Sequence, residues 1–531
     1  MIKYSVSWFK ESYLFYFILL INLILISVVK FYPSMDGPAH LYNSNLIHQL
    51  TTTDSILNSF FKINPELVPN WLSHLIISSL MFVAPAWLAE KILLILYVIG
   101  LAISFRLLLN KLCPNNLMLS VFIFPFIYSF LFHLGFYNYS LSFIFLFLTI
   151  YYWLETREKN NASKYIVLFI LFTAIYFSNL VSYFFLLLCL GSLIIYFSAI
   201  DFIRNRNLLS TFKYFIRKSF FLFLAALPSL ILLLLFYKAT AFFQTESHNP
   251  ISTLVKHIND VRAIIVYDYS GEEIFTEQFF HIMLVIVSVS LFIRFKNKSL
   301  KDILSSLNTS DVFLFPIVVS LLFLFLIPNA SGAGMMSDRF GLMFYMLTIV
   351  WVISQPIPKK LIYLIVLVVV VLHFGLLFKH LNGAIKRLNK DAIEIYQTSN
   401  YIQPNSIVLP VNLSENWVEL HFSNYLGIDK PIVILENYEA SVGWFPVLWN
   451  MEKIPSLVLG DKSSVNGIYW VSNKDSKEIK KIDYVLIFGN IERIDDPNWA
   501  ELKETLARCY ILTHTSDSKK VFLYRVNDFS K

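Results

Sequence analysis

The sequence predicts an α-helical polytopic membrane protein of about eleven crossings, closed by a water-soluble α/β domain. Three observations carry that expectation. Of 531 residues, 56% are hydrophobic, 17% aromatic and only 15% charged, whereas soluble domains hold their apolar share at roughly 45–50%. Apolar stretches of roughly 15–24 residues, matched to a ~30 Å hydrocarbon layer, recur along residues 1–380. From 381 to 531 the composition turns polar, with short β-rich runs.

The crossings fall at 12–30, 88–110, 117–133, 138–154, 164–178, 180–200, 219–237, 277–295, 312–328, 340–354 and 360–378. Lys3 and Lys10 precede the first, as in a signal peptide, but no small-x-small cleavage pattern follows, so it reads as a retained helix. Basic residues then alternate between sides. Lys3/Lys10, Arg106/Lys111, Arg157/Lys159/Lys164, Arg204 to Lys218, Arg294 to Lys301 and Lys359/Lys360 share one side, which the positive-inside rule assigns to the cytoplasm. The outer side receives loops 31–87 and 238–276 and the domain 381–531. The net charge of +7 is thereby used up in topology, leaving no nucleic-acid patch. Heavy use of Ile, Asn, Lys and Phe points to an AT-rich bacterial genome and so to a bacterial inner membrane, and the positive-inside rule puts the N-terminus on its cytoplasmic side. Residues 70–87 are apolar but begin with Asn70, Trp71 and His74, which suit a headgroup boundary. They read as an interfacial or re-entrant helix rather than a crossing.

In the C-terminal domain, 406-SIVLPV-411, 431-PIVILE-436, 484-YVLIFG-489 and 520-KVFLYRV-526 read as strands, separated by turn-formers and by the helix-like 498-NWAELKETLARC-509. Cys113, Cys189 and Cys509 lie far apart in the sequence, so neither a disulfide framework nor a cysteine zinc site is indicated.

The densest polar chemistry sits directly after the first crossing, in 31-FYPSMDGPAHLYNSNLI-47. Asp36, His40, Tyr42 and Asn43 crowd together, Gly37-Pro38 fixes a turn, and proline suits a first helical turn. His40 stands four residues past Asp36, so one helix face can aim both into a cleft. Another group gathers in 132-FHLGFYNYS-140, with Tyr137 and Asn138. The segment 436-ENYEASVGWFPVLWN-450 sets Glu436 and Glu439 beside Tyr438, Trp444, Phe445 and Trp449, the mixture with which sugars are gripped.

The D-x-P-A-H stretch behind helix one, with an aromatic following, resembles the GT-C superfamily of integral-membrane glycosyltransferases, which includes protein O-mannosyltransferases and lipid A aminoarabinose transferases. The resemblance extends to the architecture: cytoplasmic N-terminus, long first outer loop, about eleven crossings and an outer C-terminal domain. It implies transfer of a sugar from a polyprenyl phosphate donor to the hydroxyl of a glycan, lipid or protein acceptor at the outer membrane face. Asp36 would then be the general base and His40 its orienting or acceptor-binding partner. Arg339, in 334-GMMSDRFG-341, would grip the donor phosphate, a task suited to a planar guanidinium. Lys256, His257 and Arg262 are candidate second phosphate contacts, and Tyr137, Asn138 and Glu436 candidate cavity or sugar contacts. The chain departs from the superfamily at Gly37, where many members carry a second acid. One carboxylate and one histidine make a poor site for a hard divalent cation, so metal-free base catalysis without a cofactor is expected. The rival reading is a lipid-linked glycan flippase, which would place acids near the membrane midplane; here charges avoid the helix centres. A glycan polymerase or ligase would also use outer-loop arginines.

Overall fold

The computed structural model describes residues 2–159, 161–239, 247–296, 308–332, 334–450, 457–458, 469–470 and 482–527. Lys301 and residues 240–246 of the second outer loop lie outside the described residues. The chain divides into two compact units: residues 1–25, 95–132 and 138–381 form the first, and residues 26–94, 133–137 and 382–531 the second.

The first unit is helical. Each predicted apolar stretch is helical, and among the described residues eight helices are long and apolar enough to cross a membrane: Ala86–Leu112, Pro114–His133, Leu180–Asn205, Leu208–Lys238, Tyr269–Phe295, Thr309–Leu326, Met336–Ile353 and Lys359–Tyr401. The stretches at 12–30 and 164–178 become shorter apolar helices, Glu11–Ser27 and Ala162–Ser178, and 138–154 lies in the helix Tyr137–Thr156. Prediction and structure differ at 117–133, which is no single α-helix. Pro114–Phe122 is a 3-10 helix, followed by two short α-helices, Ile123–Ile127 and Phe130–His133. Pro125 supplies the reason, since proline removes a backbone donor and crowds the preceding turn.

Large apolar side chains stand out from these helices instead of folding inward. Leu234, Tyr237, Leu367 and Phe378 are all more than 60% exposed, a cost that water would impose and lipid would not. Two basic residues assigned by sequence to cytoplasmic loops are buried in ion pairs: Arg106 with Glu11 at 2.5 Å, and Arg294 with Asp311. A buried arginine needs such a partner, because desolvating an unpaired charge is prohibitive.

The second unit is built on a five-stranded sheet. Tyr484–Gly489 lies at its centre, parallel to Ser406–Leu413, which is in turn parallel to the edge strand Ile432–Ile434; on the other side Val521–Val526 and then Tyr510–Thr515 continue it antiparallel. The strand cores are apolar throughout, as the buried Ile407 to Val411 and Val485 to Ile487 show and as parallel strands covered on both faces require.

The first outer loop belongs to this unit rather than to the helices that flank it in sequence. Phe61–Ile63 pairs antiparallel with Val447–Trp449, and the Phe61 ring stacks on Trp449 at 4.2 Å. The helix Gly37–Thr52 is buried from Gly37 to Ile47. Tyr42, Asn43 and Asn45 on it are satisfied by C-terminal partners, as buried polar groups must be. Asn43 and Asn437 exchange reciprocal amide bonds of 2.9 Å, and Asn45 donates to the Gly427 carbonyl at 2.8 Å. Tyr42 donates to the Ile432 carbonyl at 2.7 Å and accepts from the Ile434 amide at 3.2 Å. Tyr42→Phe strands both backbone groups in a dry interior, and a loss of about 1–3 kcal/mol is expected. Chemical or thermal unfolding of the variant checks this; an unchanged transition would mean that water replaces the hydroxyl. Residues 70–87 hold one helix, Leu72–Leu80. At ~1.5 Å per residue its 9 residues cannot cross a bilayer.

Candidate active site

The polar residues of the opening stretch meet residues of the C-terminal part within the second unit. Asp36 occupies the N-cap of Gly37–Thr52, with Pro38 in the first turn. An N-cap aspartate ordinarily satisfies a free backbone amide of the first turn, yet this carboxylate makes no capping bond. It turns instead toward His421, whose Nε2 is 3.6 Å from Asp36 Oδ1, and it accepts a hydrogen bond from the Tyr438 hydroxyl. The far nitrogen of His421, Nδ1, contacts Glu436 Oε1. Glu436 in turn accepts from Ser423 Oγ at 2.9 Å and Asn424 Nδ2 at 2.5 Å. The His421 ring lies flat on Tyr438, with centroids 4.4 Å apart. The result is a carboxylate–imidazole–carboxylate chain ending at Asp36.

Its electrostatics follow from burial. Desolvation pushes the Asp36 carboxyl above the usual carboxylate range, against the opposing pull of His421 and His40. Burial alone would lower the His421 pKa, but Glu436 and Asp36 outweigh it and hold the imidazole above its ordinary value.

The turn 133–137 supports Asp36 from behind. Met35 and Asp36 donate their amides to the carbonyls of His133 and Leu134, at 3.1 and 3.0 Å. Gly135 sits at φ +85, and a Cβ there would meet the backbone nitrogens of Gly37 and Asp36 at 2.6 and 2.8 Å. Tyr137 donates to Glu90 Oε1 at 2.9 Å, so Ser34 Oγ, also at 2.9 Å, donates to the Tyr137 oxygen. Gly37 faces this trio: a Cβ on it would press on Ser34 Oγ and the Tyr137 hydroxyl and lie 3.2 Å from Glu90 Oε1. There is no room at position 37 for a second acid.

His40 does not orient Asp36. Its Nδ1 lies 2.5 Å from Glu439 Oε1, while Glu439 Oε2 meets His74 Nε2 at 3.0 Å. The two imidazoles stand edge to face with centroids 4.9 Å apart, and His40, His74 and Glu439 bring their ligand atoms within 4.8 Å of one another. Burial would raise Glu439, but His40 and His74 reverse this and hold it well below the usual carboxylate range. Among the described residues, these three are the group whose donor set and spacing can hold a metal. His74, His421 and Glu439 carried no assigned role in the sequence. The pairing of Glu436 with Glu439 in one aromatic segment was the available signal, whereas nothing local marks His74 or His421.

The other predicted site residues lie in the first unit. Arg262 points toward Asp338, with Nε 3.9 Å from Oδ1, packs over the Phe130 ring at 3.6 Å and donates to the Ile265 carbonyl at 2.5 Å. Lys256 is exposed, 3.7 Å from Asp260 and 3.4 Å from Glu273, and His257 lies beside the Tyr269 ring. Arg339 donates from Nε to the Gly334 carbonyl at 3.0 Å and rests over Tyr139. Asp338 therefore faces Arg262. Asn138 is buried at the start of the first unit's third segment.

No family model and no curated protein matches the chain. Among solved structures, the crystal structure of ArnT from Cupriavidus metallidurans in the apo state is similar, at 11% identity over 98% of this chain and 98% of that chain, with a TM-score of 0.42.

Proposed function

We propose that this multi-pass membrane protein transfers a glycosyl group from a polyprenyl-phosphate-linked donor to an acceptor hydroxyl, with Asp36 as the general base. The observation that supports it most is the buried Asp36 carboxylate, left uncapped at a helix N-terminus and backed by His421 and Glu436. A solvated boundary acid needs no such chain of partners. A base does, because a buried carboxylate must be oriented and its proton affinity raised toward neutral pH.

In the proposed reaction the acceptor oxygen attacks the anomeric carbon as its O–H proton passes to Asp36. The bond from the anomeric carbon to the donor's phosphate oxygen breaks, and polyprenyl phosphate leaves with the electron pair. The positive N-terminal end of Gly37–Thr52 steadies the ionised carboxylate before reaction. His421 and Glu436 act through Asp36 as positioning residues. The acceptor is a hydroxyl of a glycan, lipid or protein, and the setting is the outer face of a bacterial inner membrane, where a lipid-borne phosphate stays at headgroup height. Transfer of radiolabelled sugar from a membrane lipid extract by the purified chain tests the reading; no label in any acceptor fraction would overturn it.

The same reading fixes an orientation. With the N-terminus cytoplasmic, reporter fusions after Lys111, Arg204, Arg294 and Lys360 are expected to report cytoplasm, and those at Ser44, Asn249, Ser331 and Asn405 the outside. A cytoplasmic signal at Ser44 or Asn405 would place the Asp36 cluster on the wrong face for an extracytoplasmic transfer.

A further inference from the structure

We propose that His40, His74 and Glu439 form a binding site for a zinc-class divalent cation within the second unit. The proposal does not depend on the glycosyl-transfer reading, since its primary readout is metal content.

Three sequence-distant segments converge here: the first-loop helix supplies His40, the short helix Leu72–Leu80 supplies His74, and the segment after the strand Ile432–Ile434 supplies Glu439. All three side chains are buried, His74 and Glu439 completely. Each imidazole uses its outward nitrogen on a backbone carbonyl. His74 Nδ1 lies 3.2 Å from the Asn70 oxygen, and the His40 ring donates to Gly135. Ser73 Oγ, at 3.5 Å from His74 Nδ1, is too distant to set the tautomer. That arrangement is the outer-shell bonding with which metal-binding histidines are oriented and their tautomer fixed.

The consequence falls on the inner nitrogens. Once Nδ1–H of His74 is committed to the Asn70 carbonyl, a neutral ring turns a bare lone pair at Nε2 toward a carboxylate oxygen 3.0 Å away. Two electron-rich atoms in a dry interior repel each other unless a cation stands between them. His40 Nδ1 and Glu439 Oε1 show the same conflict. They are 2.5 Å apart and both buried, a contact that needs a proton or a metal ion between them. The ligand atoms of all three residues lie within 4.8 Å of one another, close enough for one cation to meet them together. A cation there, at ~2.0–2.1 Å from each ligand, would relieve both contacts, with the Glu439 carboxylate turning to open the tighter one.

The donor set selects the ion. Two imidazole nitrogens and one carboxylate suit Zn²⁺, whereas Mg²⁺ and Ca²⁺ require oxygen ligands and larger coordination numbers. Three protein ligands leave a fourth tetrahedral position, as catalytic zinc sites do. Phe445 covers the two rings from 6.0 and 5.9 Å and keeps the site apolar around its ligands. The metal-free alternative is a buried imidazolium–carboxylate pair.

The test uses the full-length chain, purified in detergent with a tag other than polyhistidine, dialysed against zinc and then against buffer. Elemental analysis is expected to give about one zinc per chain, reduced at least tenfold in His74→Ala and Glu439→Gln. Excess Mg²⁺ should not displace the zinc, and a chelator should lower the melting temperature until zinc is restored. Because either variant can fail to fold, X-ray absorption on the wild-type chain is the second measurement. A zinc shell of nitrogen and oxygen with imidazole scattering supports the site. A sulfur shell, a metal-free chain after zinc loading, or undiminished zinc in both folded variants would overturn it.

Discussion

Asp36→Asn is expected to lower glycosyl transfer by ~10²–10⁴, the range for losing a general base, while leaving a folded, membrane-inserted chain. The amide keeps the shape of the carboxylate and can still accept from Tyr438, so the local packing survives. What it loses is proton affinity, together with the charge that His421 faces at 3.6 Å. Because the carboxylate makes no capping bond, the substitution removes no helix-terminal hydrogen bond, and an unchanged melting temperature separates a catalytic loss from a stability loss. Asp54→Asn, an exposed acid of the same outer loop, is the matched control and should transfer normally. Turnover within a few-fold of wild type in Asp36→Asn would remove the base from the mechanism.

Gly135→Ala is expected to destabilise the second unit by roughly 2–5 kcal/mol. Two costs add. A left-handed backbone conformation costs a residue bearing Cβ roughly 1–2 kcal/mol, and Gly135 sits at φ +85. The new methyl also meets the amide nitrogens of Gly37 and Asp36 at 2.6 and 2.8 Å, where only backbone movement gives relief, an overpacking penalty of about 1–3 kcal/mol. The displaced atoms belong to the catalytic candidate itself, so transfer should fall together with the melting temperature. Gly443→Ala, with no atom near the added methyl, should melt like wild type. Equal melting of the two variants would show that the Asp36 turn is softer than its hydrogen bonds to His133 and Leu134 imply.

The membrane-spanning segments were legible because hydropathy is a local property. A run such as Leu180–Asn205 is apolar whatever lies next to it, and a bilayer leaves its backbone little choice but helix. The five strands of the sheet were partly legible for a similar reason: four of them appear as β-rich runs bounded by turn residues, while Tyr510–Thr515, with exposed Ile511 and Leu512, lacks a buried pattern and was not read as a strand. Pro38 announced a helix start through its fixed backbone geometry, whereas the break around Pro125 was not part of the sequence reading.

The sequence by itself thus determined the class of molecule, the order of its helices and strands, and the crowding of Asp36 and His40 behind the first crossing. It could not choose their partners. By spacing alone His40 belonged with Asp36, and one acid with one imidazole argued against a metal. Only the tertiary structure gave the two residues separate partners, by folding the first outer loop into the C-terminal unit. That step gave Asp36 to His421 and Glu436, hundreds of residues away, and gave His40 both to Glu439, equally remote, and to His74 in the same outer loop. It also decided that position 37 must be glycine, because Ser34, Tyr137 and Glu90 fill the space a side chain would need. The physical reason is that hydropathy and backbone preference act between near neighbours in sequence, whereas ligand sets and ion pairs are fixed by distances of 2.5–4 Å that only packing can set.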